Sequence, residues 1–189
     1  MFGKVRRLGF TMIELLIVIA VLGILAVAVL AAINPIEQIN RGRDTGSRSD
    51  SEQALSAIDR FYAAQGYYPW QTGAADLVGE PIAWTTLNTA ADSAGTTVLD
   101  KLSTGGTSEI KESYVTRISA PTYNSLYVYN RGTQGDSTYV CFLPKSGAFK
   151  EEATARCGTD GDGMPEDAAD IVATVCDVAG DTAYWICLP

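Results

Sequence analysis

The chain has 189 residues, which provide for one long helix and one globular domain but not for two further domains. Its formal net charge is −8, and an acidic surface repels nucleic-acid phosphates, so the composition argues against nucleic-acid binding, including DNA uptake. The sequence has no histidine, no G-x-S-x-G, no phosphate-binding glycine loop and no H-E-x-x-H, so we expect that the protein is not an enzyme.

A long apolar run lies close to the N-terminus, behind a short basic segment that contains Lys4, Arg6 and Arg7. Residues 15–33 hold no charged and no strongly polar side chain, and about 20 apolar residues suffice for a helix to cross a bilayer. The run therefore predicts a membrane-spanning helix. Glu14 lies at its front edge, where an unpaired charge costs a few kcal/mol, so this carboxylate needs a partner.

Cleavage between Gly9 and Phe10 would supply such a partner. The new α-amine would lie four residues from Glu14, which is about 6 Å along a helix axis. Axially staggered packing of a second copy could bring the amine of one subunit to Glu14 of another inside an apolar bundle. The pattern thus predicts a helix that assembles with copies of itself.

Residues 9–16, with the sequence GFTMIELL, resemble the cleavage and methylation motif of type IV prepilins and type II secretion pseudopilins. The resemblance implies that a prepilin peptidase cuts after Gly9 and methylates the amine of Phe10. It also implies that the mature chain polymerises into a helical filament through this helix and Glu14. The implied partners are the peptidase, an inner-membrane assembly platform and other minor pilins.

The implied fold is the α+β pilin fold, in which a long N-terminal helix packs on a small antiparallel sheet. We expect a leader (1–9), a transmembrane and assembly half of the helix (10–33), an amphipathic half (34–65) and a globular head (66–189). The expected location is the cytoplasmic membrane, as a single-pass precursor with its head outside the cytoplasm, and later an extracellular or periplasmic filament. Arginines on both sides of the apolar run make charge counting alone indecisive about this orientation.

Other interpretations of the apolar run remain open. A secretory signal could be cleaved at Ala26-Val27-Ala28, although the run is longer than a typical signal core and carries Glu14. A plain single-pass anchor explains the run but not Gly9, Phe10 and Glu14. The alternative function is therefore a membrane-anchored, calcium-binding adhesion domain that does not polymerise.

Pro35 predicts a kink, after which an apolar stripe at helical spacing predicts that the helix continues to Gln65. Gly66 suits the position after its last turn, and the aromatic residues that follow are expected to pack at the junction with the head. Residues 41–50 interrupt the stripe with a polar stretch, which predicts a solvated face or a break. We also hypothesise that residues 35–46 loosen on entry into a filament, as the resemblance to bacterial pilins implies.

The sequence predicts that the head begins with a loop-rich region and continues with strands. Residues 71–113 predict loops with short helical pieces. Runs rich in Tyr, Val, Ile and Thr predict strands at 113–119, 126–129, 137–143 and 183–188, with a hairpin turn at 130–136. The sheet is expected to cover the amphipathic half of the helix.

Four cysteines follow the export segment, and an even count predicts disulfides: Cys141, Cys157, Cys176 and Cys187. Short separations favour pairing the first with the second and the third with the fourth, although the sequence leaves all three connectivities open. A zinc site is not expected, because the chain has no C-x-x-C and no histidine.

Residues 159–167 alternate short carboxylates with glycines, a pattern typical of loops that bind Ca²⁺. The segment resembles the calcium loops of thrombospondin-type repeats, with Gly158 and Glu166 as departures from that pattern. The predicted ligands are Asp160, Asp162, Asp167, Glu166 as an alternative and the carbonyl of Met164. The other interpretation is an acidic turn followed by a helix that starts at Pro165.

Overall fold

The computed structural model describes residues 9–32, 34–76, 81–104, 108–133, 135–158, 161–176 and 184–189. The chain divides into two compact units, Met1–Gln38 and Ile39–Pro189. The elements in chain order are α1 (Met12–Ala32), α2 (Pro35–Gln65), β1 (Ile82–Thr86), α3 (Val98–Ser103), α4 (Glu112–Ile118), β2 (Leu126–Asn130), β3 (Tyr139–Phe142), α5 (Gly147–Cys157), a 3-10 helix (Glu166–Ile171), α6 (Val172–Val175) and β4 (Ile186–Leu188). The fold is α+β, as predicted.

Two helices stand where the sequence predicted one kinked helix. Asn34 is not helical, and α2 begins at Pro35. A proline disfavours helical conformation in the residue before it, whereas its own fixed geometry suits the first position of a helix. Asn34 Oδ1 accepts the backbone N–H of Glu37 at 3.3 Å, as an N-cap residue does. The predicted kink is therefore a helix start.

The predicted end of the helix is confirmed. Gly66 follows the last residue of α2 with φ of 77°, and its N–H donates to the carbonyl of Tyr62 at 2.8 Å. A residue with a side chain would be strained in this conformation, which explains why glycine stands there. Tyr67 and Trp70 pack into the core beyond it, with Trp70 5% exposed, as expected for junction aromatics.

The four strands form one antiparallel sheet in the order β1-β2-β3-β4. The hairpin of β2 and β3 is confirmed, and Arg131 bridges its turn through an ion pair with Asp136 at 2.9 Å. The predicted final strand is confirmed as β4, while Ala183 lies outside the described residues.

Both faces of the sheet are covered. On one face α2 packs its apolar stripe, including Ala54 and Ile58, against strand residues such as Val128 and Val140. On the other face the C-terminal 3-10 helix and α6 pack against Tyr139 and its neighbours. The alternation of the strands explains this arrangement, since successive side chains point to opposite faces.

Two predictions for the head were wrong. Residues 113–119 were expected to form a strand, but they lie almost entirely in α4, which buries Tyr114 and Ile118 four residues apart. Their β-branched composition misled the prediction, because tertiary packing selects between helix and strand in a short segment. The strand β1 was not predicted, and it lies within a region expected to contain only loops and short helical pieces.

The polar stretch of α2 is helical throughout, so the predicted break is wrong. One face of the stretch is exposed, as the predicted solvated face requires, but the other face is buried. Asp44 is fully buried, and its carboxylate accepts the N–H of Lys145, the N–H of Ser146 at 2.7 Å and the hydroxyl of Ser146 at 2.7 Å. Asp50 is 4% exposed and accepts Arg117 Nη1 at 2.6 Å and the hydroxyl of Tyr123. The head thus supplies donors for carboxylates of the helix, so one face of this polar stretch continues the buried side of α2.

All four cysteines form disulfides, but the favoured pairing was wrong. Cys141 pairs with Cys187 and Cys157 with Cys176. Cys141 and Cys187 stand directly opposite each other in the paired strands β3 and β4, with their Cα atoms 4.0 Å apart. The order of strands in the sheet therefore decides the connectivity, which loop length alone could not reveal.

Candidate functional site

The predicted cleavage junction lies in exposed, non-helical chain. Gly9, Phe10 and Thr11 precede the first residue of α1, and the side chain of Phe10 is 83% exposed. A peptidase needs an accessible peptide bond, and both residues that flank the bond after Gly9 are exposed and outside the helix. Lys4, Arg6 and Arg7 of the leader lie outside the described residues.

Glu14 has a partner within its own chain. Its Oε2 accepts the backbone N–H of Thr11 at 2.8 Å and the Thr11 hydroxyl at 2.6 Å, while the Thr11 hydroxyl accepts the N–H of Glu14 at 3.3 Å. This reciprocal arrangement is a capping box, which satisfies backbone groups at a helix start. The predicted partner was the amine of a second copy, and the hydrogen bonds with Thr11 were not predicted. The spacing of threonine and glutamate was the signal that could have identified it.

The side chains of α1 are apolar on every side of the helix. The span Met12–Ala31 is long and apolar enough to cross a membrane, and none of it is buried. Leu15, Leu22 and Leu30 are 58%, 58% and 72% exposed. A helix that is apolar all round is stable only where another apolar phase covers it, such as lipid or other helices.

The predicted calcium ligands do not converge in the described part of the chain. Asp162 and Glu166 are exposed, whereas Met164 is half-buried and packs against the apolar cluster on the sheet face away from α2. Asp160 lies outside the described residues. Among residues the structure describes, no group of three acidic, histidine or cysteine side chains could hold a metal ion.

Asp167, the remaining predicted ligand, supports the sheet. Its two oxygens accept the N–H of Ser137 at 2.8 Å and the hydroxyl of Tyr139 at 2.5 Å. Burial raises the pKa of Asp167, but these hydrogen bonds outweigh burial and hold the pKa below its usual value. The carboxylate is thus charged and hydrogen-bonded, and calcium binding stays a prediction.

Comparison with known families matches residues 4–30 to the prokaryotic N-terminal methylation motif. The match covers residues 4–9 of the leader, the junction after Gly9, the capping box of Glu14 and nearly all of α1. This motif is the signature of type IV pilin and pseudopilin precursors, and it implies processing by a prepilin peptidase. The comparisons with curated proteins and with solved structures found no match to the chain.

Proposed function

We propose that the chain is a structural subunit of a type IV pilus or of a type II secretion-like pseudopilus. After cleavage behind Gly9, the mature subunit polymerises through α1. The observation that carries this proposal is the coincidence of a processing motif at residues 4–30 with a helix, Met12–Ala31, that is apolar all round and unburied.

The free energy of burial supports assembly through α1. Each Leu, Ile or Val side chain gains about 1.5–3 kcal/mol when it moves from water into an apolar environment. A subunit that leaves the bilayer must therefore pass α1 into another apolar environment, and a bundle of α1 helices from neighbouring copies provides one. An assembly platform in the inner membrane and minor pilins are the partners expected at this step.

Glu14 acquires a second partner in this proposal. In the single chain Thr11 satisfies one of its oxygens, Oε2, while the carboxylate keeps its charge. In the filament the methylated amine of Phe10 from a neighbouring copy neutralises that charge inside the bundle. Removal of one member of a buried ion pair typically costs about 3–5 kcal/mol, so the pair selects the correct axial stagger of subunits.

The two disulfides support a head outside the cytoplasm, because disulfides form and persist in oxidising compartments. The precursor would then span the cytoplasmic membrane once, and the filament would be periplasmic or extracellular.

Mass spectrometry of the mature N-terminus tests the processing step. We expect a chain that begins with N-methylated Phe10. An intact Met1, or a chain that begins near Val29, would instead indicate an unprocessed anchor or a cleaved secretory signal.

The substitution Glu14→Leu tests the assembly step. We expect normal membrane insertion and an unchanged head, but a loss of at least about ten-fold in sheared or sedimented filaments, since one lost pair of about 3 kcal/mol exceeds ten-fold in affinity. Ile13→Leu is the matched control, because it changes a neighbouring apolar side chain only. Wild-type filament yield from the Glu14→Leu chain would favour a non-polymerising anchored domain.

A further inference from the structure

A cavity of about 480 Å³ lies beside α2, next to the buried Asp44 and Asp50. Three cationic side chains line it: Arg43 from α2, Arg117 from α4 and Lys145 from the segment before α5. We refer to this cavity and these three residues as the cationic pocket.

Two of these three cations form no ion pair with any described residue. Arg117 Nη1 pairs with Asp50 at 2.6 Å, although about half of the Arg117 side chain remains exposed. Arg43 and Lys145 are exposed, and neither side chain has an ion pair with any residue that the structure describes. The carboxylates of Asp44 and Asp50 also line the cavity, so three cations stand beside two anions. Asp50 pairs with Arg117, and Asp44 is held by neutral donors of residues 145 and 146. The pocket therefore has one positive charge in excess, on side chains that are free to pair with an external carboxylate.

The opposite charge lies elsewhere on the head. Residues 161–170, here called the acidic segment, contain four carboxylates and no lysine or arginine. Asp162 and Glu166 are exposed, and no described residue forms an ion pair with either. This segment leads into the 3-10 helix that packs on the sheet face away from α2. One copy thus carries the cationic pocket and the acidic segment on opposite sides of its sheet.

We propose that the cationic pocket of one subunit receives the acidic segment of a second copy of this chain. The inference rests on the proposed function, because it describes a contact between heads within the filament. A contact between two different surfaces of identical subunits is heterologous, and such contacts propagate into open helical assemblies. Two positions on opposite sides of a sheet suit propagation better than a closed pair.

The net charge of the chain favours a contact of this kind between heads. Without the three basic residues of the leader, the chain has 11 basic and 22 acidic side chains, so neighbouring heads repel each other. Opposite charges that meet at defined positions offset this repulsion and fix the register between subunits. The contact is exposed at its rim, so salt should weaken it.

Zero-length carbodiimide cross-linking of wild-type filaments tests the contact directly. Filaments are assembled from a mixture of ¹⁴N and ¹⁵N full-length subunits, so that mixed-isotope peptides identify links between copies. We expect an amide between Lys145 and Asp162 or Glu166 in mixed-isotope form. Absence of such a link, when other lysines do cross-link between copies, would overturn the proposal.

Charge reversal gives a second test that uses the full chain. We expect Lys145→Glu and Glu166→Lys each to lower filament yield about five-fold, and the double variant to restore most of it, since such pairs are individually modest. Lys150→Glu is the control, because this exposed lysine of α5 does not line the cavity.

The two proposals fail differently in these experiments. If Lys145→Glu and Glu166→Lys assemble like wild type while Glu14→Leu does not assemble, only the contact between heads is wrong. If the wild-type chain forms no filament, the proposed function and this contact fall together. Because the cross-link is measured on the unaltered chain, a folding defect in a variant cannot rescue the proposal.

Discussion

The helix α1 and the buried face of the polar stretch of α2 have opposite chemistry and opposite burial. The first is almost entirely apolar, and none of its span Met12–Ala31 is buried. The second consists of Asp44, Ser47 and Asp50. Burial within this chain therefore does not follow hydropathy alone. It follows whether the head supplies a matching surface, apolar for apolar groups and hydrogen-bond donors for carboxylates.

The two acids Glu14 and Asp44 show the difference most clearly. Thr11 of the same helix turn satisfies Glu14, which stays exposed. Residues about a hundred positions away satisfy Asp44, which is fully buried. We therefore expect Glu14 to matter for assembly and Asp44 to matter for the stability of the head.

The largest effect that separates the two helices is expected from Asp44→Ala. This substitution leaves the donors of Lys145 and Ser146 buried without an acceptor, which costs about 3 kcal/mol of unfolding free energy. Urea denaturation of the full chain in detergent measures the loss. Glu52→Ala, an exposed acid in the same helix, should change the free energy by less than about 0.5 kcal/mol. Equal effects of the two substitutions would show that the buried carboxylate does not anchor α2.

Hydrogen exchange in assembled filaments shows which part of α2 is protected by its contacts with the head. The hypothesis that residues 35–46 loosen in a filament conflicts with the burial of Asp44 at one end of that range. We expect amides before Asp44 to exchange at least about ten-fold faster than those after Ser47, because Arg48 and Asp50 tie the later segment to the head. A filament map with continuous helical density from Pro35 through Ser51 would contradict loosening.

A smaller effect is expected at Asp92, a second buried acid that the head satisfies. The hydrogen bond from Lys101 Nζ, at 2.6 Å, holds the pKa of Asp92 below its usual value against the effect of burial. A carboxylate with a lowered folded-state pKa stabilises the fold above its unfolded pKa, and this contribution is lost as pH falls through the folded pKa. We therefore expect Asp92→Asn to be less stable than wild type at pH 7.

The deficit of Asp92→Asn should start to shrink as pH falls below about 4, the unfolded-state pKa of aspartate, and should vanish only below the lower folded-state pKa. Melting temperatures at several pH values measure this convergence. Asp100→Asn, at an exposed position of α3, serves as the control. A constant deficit for Asp92→Asn would refute the ion pair as its cause.

The smallest effect is expected from calcium. If the acidic loop binds Ca²⁺, a ten-fold excess over the dissociation constant would stabilise the head by about 1.4 kcal/mol through mass action. Calorimetric titration and a melting curve of the full chain measure it, with Asp162→Asn as the variant that should lose the shift. Absence of both heat and a melting shift would remove the calcium hypothesis.

Local patterns predicted the elements whose signals lie within a few residues. The apolar run of α1, the glycine after α2 and the turn of the β2–β3 hairpin all follow from residue type and spacing. Patterns failed where a distant segment decides the outcome. Residues 113–119 pack as a helix because Tyr114 and Ile118 meet the core on one side.

The candidate site divides in the same way. The motif at residues 9–16 identified Gly9, Phe10 and Glu14, and the same residues contained the capping box that went unnoticed. The cationic pocket could not be predicted, because its residues come from three segments that meet only in the folded head. The hydrogen bonds that Asp167 accepts from Ser137 and Tyr139 were not predictable for the same reason, since these residues lie about thirty positions away in the chain.

The sequence alone determined that this protein has a processing motif, an apolar helix long enough for a membrane and a disulfide-bonded α+β head. Each of these depends on local composition or spacing. Only the tertiary structure decided which cysteines pair and which face of the polar stretch of α2 is buried. Both outcomes depend on contacts between residues far apart in the chain, where strand order and hydrogen-bond donors come from segments that no local pattern brings together.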